Sequence, residues 1–140
     1  MDAFRNNFPE NTEFLIGLRN TNRVLDVAGD NFDAGTHVIL WDRKFEDDSN
    51  QRWIYKNGQI YNVKSGLVLS APHLGYNVAV DQQPYAYKDT QTYDYDGTTV
   101  FTQANSDYVL GTLNSTNNGA PVALVSRDEK SISQQWNVLL

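Results

Sequence analysis

Cysteine is absent from all 140 residues, which excludes disulfides and thiolate metal ligands and suits a reducing compartment. No segment approaches the roughly twenty apolar residues of a membrane-spanning helix, and Met1-Asp2-Ala3-Phe4-Arg5 is followed by no apolar stretch of signal-peptide type. The expected location is therefore the cytoplasm, with any release by a non-classical route, and no membrane insertion is expected. Positive charge is scarce: 11 Lys and Arg stand against 17 Asp and Glu, a formal net charge of −6, and no basic cluster stands out. Nonspecific nucleic-acid affinity rests on Lys and Arg neutralising phosphates, so nucleic acid is not an expected partner. Also missing are a paired-His metal motif, a nucleophile elbow, a phosphate loop and a dinucleotide fingerprint. Glu46-Asp47-Asp48 lacks calcium-loop spacing and reads as a solvated loop, and His37 and His73 have no carboxylate partner in sequence. The expectation is a non-enzyme without metal or cofactor.

What is present is a threefold repeat. The tripeptides Gln51-Arg52-Trp53, Gln91-Thr92-Tyr93 and Gln134-Gln135-Trp136 recur at a period of about forty residues. Upstream of each comes an apolar pair (Val24-Leu25, Val68-Leu69, Val109-Leu110) and then a glycine (Gly35, Gly75, Gly119) leading into another apolar strand. Glycine and tripeptide are 16, 16 and 15 residues apart.

Short runs of β-branched and aromatic residues, separated by Gly, Asn, Asp and Ser, predict strands throughout. Four fit in each unit: 14–19, 23–27, 36–41 and 52–55; then 59–63, 67–71, 77–80 and 92–95; then 100–103, 108–112, 121–126 and 135–139. Twelve strands in three fours predict an all-β fold of β-trefoil type, because one unit cannot bury its apolar face alone and three can close around a pseudo-threefold axis. A propeller, suggested by the single Trp41-Asp42, needs more blades than three units supply. The reading gives an N-terminal arm, 1–11, and one domain, 12–140, with units near 12–56, 57–97 and 98–140. Two readings stand for the arm: Phe4 and Phe8 packed on the barrel, or fraying, which Asn6, Asn7, Pro9 and Asn11 support at least equally. Tyr85, Tyr87, Tyr93 and Tyr95 alternate as if on one face of a strand.

With its units aligned, residues 12–140 resemble the ricin B-type (R-type) lectin family, whose units end in Gln-x-Trp. Trp53, Tyr93 and Trp136 are expected to form the shared core. Function belongs to residues that differ between units, because a binding site need exist only once. In the family, a sugar-binding unit reads Leu-Asp-Val, then an aromatic after an apolar strand, then Asn-Gln-x-Trp. Unit one has Leu25-Asp26-Val27, Leu40-Trp41 and Asn50-Gln51-Arg52-Trp53, with intervals of 15 and 9 residues between Asp26, Trp41 and Asn50. The resemblance implies a site in which Trp41 stacks on the C–H face of a galactopyranose and Asp26 accepts bonds from adjacent hydroxyls. Asn50 adds an amide, and Gln51 supports the acid or the local backbone.

Ile39 stands where the family often carries Gln, which leaves a hydroxyl to water or makes room for an N-acetyl group. Units two and three replace Asp26, Trp41 and Asn50 by Ser70, Asp81, Thr90 and by Gly111, Val125, Ser133. Unit two also reads as four residues shorter between its apolar pair and its glycine, so one site per chain is expected. The function expected from the resemblance is a lectin for galactose or N-acetylgalactosamine on glycoproteins or glycolipids, a haemagglutinin or a defence or toxin-associated lectin. A homodimer would supply avidity to its single site. The alternative is a β-trefoil that binds protein through its loops, such as a protease inhibitor.

Overall fold

A computed structural model describes residues 6–140. Unit one contributes β1 (Glu13–Leu18), β2 (Arg23–Val27), β3 (Val38–Asp42) and β4 (Trp53–Lys56). Unit two contributes β5 (Gln59–Asn62), β6 (Val68–Ser70), β7 (Val78–Ala79), β8 (Asp81–Gln83) and β9 (Tyr93–Tyr95). Unit three contributes β10 (Val100–Thr102), β11 (Tyr108–Thr112), β12 (Val122–Ser126) and β13 (Trp136–Leu139). The chain forms an all-β trefoil. All twelve expected strands are present, but the third strand of unit two is broken at Val80: β7 pairs with β12 of unit three while β8 pairs with β6 of its own unit.

Strand alternation decides what is inside. Leu25 and Val27 of β2 and Val38 and Leu40 of β3 point into the core, which leaves Asp26, Ile39 and Trp41 on the outer face. Val38, Val80 and Val122, each 42 residues from the next and wholly buried, bring the three third strands together. There Val38 N–H donates to the Val80 carbonyl and Val80 N–H to the Val122 carbonyl. Under them lie Trp53, Tyr93 and Trp136, all at 0% exposure. Trp53 and Trp136 donate their indole N–H to the carbonyls of Leu25 and Leu110, whereas Tyr93 turns its hydroxyl to the Thr90 carbonyl. The tyrosine keeps the aromatic volume but cannot make the bond to its unit's second strand.

The 42-residue register corrects the alignment of unit two. Gly35, Asn77 and Gly119 are the equivalent turn residues: all have positive φ (86°, 62° and 88°), and each donates its N–H to a third strand of the neighbouring unit, at Gln82, Leu124 and Leu40. The landmark is therefore Asn77, not Gly75, because Asn tolerates the left-handed conformation that the turn imposes. The loop from the apolar pair is then shorter by two residues, not four. For the same reason Gln83, not Asp81, stands where Trp41 stands, since Trp41 opposes Val24 and Gln83 opposes Val68.

Each repeat glutamine ties down a loop in the same way. Gln51 donates to the Asp42 carbonyl and accepts from Lys44 N–H; Gln91 uses Pro84 and Ala86; Gln134 uses Ser126 and Asp128. In unit three this glutamine packs where an acidic side chain would otherwise sit: a Cβ on Gly111 would lie 2.7 Å from Val125 Cγ2 and 3.3 Å from Gln134 Cγ. Gly111→Ala is expected to lower stability by about 1–3 kcal/mol through overpacking, measured by urea unfolding. A wild-type midpoint would refute this account of why unit three lacks an acid.

The structure decides between the two readings of the arm and corrects that of the tyrosines. Residues 6–11 are not frayed: Asn6 and Asn7 bond the backbone of Tyr95, Glu10 and Asn11 that of Tyr55, and Phe8 is buried. Phe4 lies outside the described residues. Of the four alternating tyrosines only Tyr93 and Tyr95 share a strand face; Tyr85 and Tyr87 sit in the loop after β8, their rings 4.5 Å apart.

Candidate functional site

The expected residues of unit one converge on one pocket. Asp26 and Ile39 are cross-strand partners, and Trp41, two residues along β3, lies on the same face. The short 3-10 turn Ser49–Gln51 brings up Asn50 and Gln51 from below, both buried. Asp26, Ile39, Trp41 and Asn50 line a cavity of about 340 Å³ together with Gly29, Asp30 and Lys44. That is near the lower end of the roughly 300–1,000 Å³ typical of small-molecule sites.

The polar groups are held in place but not used up. Asp26 is only 5% exposed; one carboxylate oxygen accepts from Gln51 Nε2 at 2.9 Å. Gln51 does not line the cavity; it supports both the acid and the loop after β3, as anticipated. Asn50 donates its Nδ2 to the Val27 carbonyl at 3.1 Å, and its Oδ1 is shielded from solvent with no partner among the described residues. A buried acceptor left open marks a place for a ligand or a water. Trp41 is 43% exposed and supplies an aromatic wall.

Burial pushes the Asp26 carboxyl above its ordinary range, and Asp30 adds to the rise. Hydrogen bonds from Gln51 and Asn50 and the nearby charge of Lys44 oppose it. The result is a carboxylate poorly solvated by water and therefore disposed to accept hydrogen bonds from a ligand. Asp30 is partly neutralised by Lys64, whose Nζ is 2.7 Å away.

Lys44, Asp30 and Gly29 were not among the expected site residues. A signal for Lys44 was available: by the 42-residue register its counterparts are Ala86 and Asp128, so unit one alone places a cation there. Asp30 and Gly29 lie in a turn whose length differs between units, where no register can be read. The other units lack the acid and the aromatic: Ser70 and Gln83 stand at those positions in unit two, Gly111 and Val125 in unit three. In unit two, Gln91 meets the Ser70 hydroxyl at 3.3 Å and Thr90 donates to the Ala71 carbonyl, the same frame without the charge. Among the described residues no cluster of His, Cys, Asp or Glu could hold a metal ion.

The model of the family described as ricin-type beta-trefoil lectin domain matches residues 12–136. Mucoricin of Rhizopus delemar is 38% identical over 58 residues, 41% of this chain and 40% of Mucoricin, so the match spans less than half of that relative's length. The C-half of an earthworm R-type lectin, solved in complex with GalNAc, superposes with a TM-score of 0.82 at 22% identity, covering 94% of this chain and 98% of that one. ThreeFoil, a designed threefold-symmetric protein, gives 0.79 at 23% identity over 91% and 98%. At such identities the two structures attest to the fold. The family model spans all three repeats and their tripeptides, and the chain belongs to the ricin-type β-trefoil lectin domain family.

Proposed function

We propose that this protein is a lectin that binds terminal galactose or N-acetylgalactosamine through the unit-one pocket. The observation that carries the reading is the conjunction of a buried, oriented carboxylate at Asp26, an open buried acceptor at Asn50 and an exposed indole at Trp41 in one cavity. Vicinal hydroxyls next to an apolar C–H face match that set: Asp26 and Asn50 accept, and Trp41 stacks. The earthworm lectin's complex with GalNAc supports the same class of ligand. Ile39, half-buried in the wall, offers an apolar surface to an N-acetyl methyl, which favours N-acetylgalactosamine over galactose. A role as a haemagglutinin, or in defence or a toxin, belongs to the same proposal. It calls for a dimer or another multivalent arrangement, because one shallow site gains avidity only in copies.

A glycan array with lactose as competitor tests this. Expected are lactose-inhibited binding to terminal galactosides and a loss of about tenfold or more in Trp41→Ala, equivalent to about 1.4 kcal/mol. Folded wild type that retains no galactoside would overturn the reading and redirect attention to protein partners.

A further inference from the structure

On the outer surface of unit one lies a second cavity, of about 140 Å³, that shares no residue with the sugar pocket. Its floor is apolar: Gly17, Leu18, Val24 and Leu139. Its polar wall holds Arg23 and Arg43, which the pairing of β2 with β3 places side by side: Arg23 opposes Asp42, and the next residue, Arg43, donates its N–H to the Asn22 carbonyl. The Nε–H of each arginine is shielded from solvent and has no hydrogen-bond acceptor among the described residues.

Two permanently charged donors in that state call for an acceptor. The protein supplies little. Asp42 forms an ion pair with Arg23, but its Oδ1 is 3.6 Å from Nε, too far for a hydrogen bond, and its Oδ2 is occupied by Asn118. Arg23 spends a terminal nitrogen on the Thr116 carbonyl, and the Arg43 guanidinium rests 4.8 Å from the centre of the exposed Phe45 ring. Asn137 Oδ1 accepts from Arg19, and its NH2 makes no hydrogen bond among the described residues. Thr21 spends its hydroxyl proton on the Leu18 carbonyl while accepting from Arg23 N–H. Beside the amides of Asn22 and Asn137, which can donate as well as accept, the charged groups of the wall are the two guanidinium donors, in a chain of net charge −6.

We infer that the cavity between Arg23 and Arg43 is a binding site for a small oxyanion, a sulfate, phosphate or carboxylate group. Paired guanidinium donors match such a group in geometry as well as charge. The volume is well under half that of the sugar pocket, room for an anionic group and not for a sugar ring. The anion arrives either free or as a substituent of a glycan.

The test follows arginine Nε–H resonances by ¹H–¹⁵N NMR while sodium sulfate replaces sodium chloride at constant ionic strength. Saturable shifts confined to Arg23 and Arg43 are expected, with a Kd on the order of 1 mM. Arg43→Gln should remove them. Gly17→Ala should weaken binding several-fold, because the added methyl meets nothing closer than 3.4 Å and so narrows the cavity without disturbing the fold. Asp26→Asn should leave the sulfate response intact, which separates this site from the sugar reading. A second arm compares lactose with lactose sulfated on its galactose. Tighter binding of the sulfated sugar, lost in Arg43→Gln, assigns the anion to a glycan; sulfate binding without that gain assigns it to a free ion. Shifts that never saturate, or that appear equally at all arginines, would overturn the proposal.

Discussion

Asp26→Asn is expected to weaken lactose binding by about a hundredfold while leaving the fold as stable as before or more so. Each hydrogen bond to a charged partner contributes about 1.5–3 kcal/mol, and in the proposed mode the carboxylate accepts from two sugar hydroxyls, so a loss of about 3 kcal/mol follows. Stability moves the other way because burial, the largest influence on Asp26, disfavours the charged form in the folded state. A folded pKa raised above the ordinary 3.8 means that the folded protein holds this proton more tightly than the unfolded chain. The group therefore favours folding most at low pH, and that contribution declines as pH rises from the ordinary value through the raised one. Above that window the ionised Asp26 is a burden on stability that asparagine removes. The proposed mode of sugar binding uses the ionised form, so affinity should fall on acidification at a higher pH than an ordinary aspartate would give. Calorimetric lactose titrations between about pH 3 and pH 8, paired with urea unfolding at each pH, read both effects. A flat affinity profile, or an asparagine variant that binds like wild type, would remove Asp26 from the site.

That the same carboxylate weakens the fold and carries the proposed function explains which parts of the site were legible in the sequence. Asp26, Trp41 and Asn50 break the threefold pattern at positions where the core does not require them, so comparing units exposes them. Gln51 is legible for the opposite reason. Its two loop bonds recur at Gln91 and Gln134, and its contact with Asp26 recurs in unit two as Gln91 with Ser70, so what is particular to unit one is the charge of the partner. Ile39 entered through the resemblance alone, as the position where the family often carries Gln.

The misreadings come from places where the physical requirement is a conformation and not a residue type. The turn into the third strand requires positive φ, and unit two meets it with Asn77 while an unrelated glycine, Gly75, lies two residues earlier. Counting from Gly75 gave a matching interval of 16 by coincidence and shifted the neighbours of Trp41 by two. The arm was undecided for another reason: beside Phe8 and the Asn6 amide, its anchors are backbone hydrogen bonds to Tyr55 and Tyr95, which leave no trace in side-chain composition.

Phe8→Ala is expected to lower the unfolding free energy by about 3–5 kcal/mol, as for other buried phenylalanines. Phe8 is 4% exposed and packs against three rings: Phe14 at 5.3 Å, Tyr55 at 4.9 Å and Tyr95 at 5.0 Å between centroids. Tyr55 and Tyr95 each stand two residues after a repeat aromatic, and the third such position is Val138, which is smaller and only partly buried. The three repeats therefore leave this side of the core short of aromatic volume, and the N-terminal segment brings Phe8 to it. Truncation to alanine opens a cavity that rigid strands cannot collapse into. Tyr55 and Tyr95 would keep their hydroxyl bonds to the Tyr93 and Trp136 carbonyls, so the loss isolates packing. Urea unfolding of Phe8→Ala, with Phe8→Leu as the conservative control, makes the measurement: leucine should recover more than half of the loss. A change under about 1 kcal/mol for alanine is what a frayed arm would give, since exposed substitutions usually stay within about 0.5 kcal/mol. Lactose affinity should not change in either variant, because Phe8 contributes to the core beneath the barrel strands and to no part of the unit-one pocket.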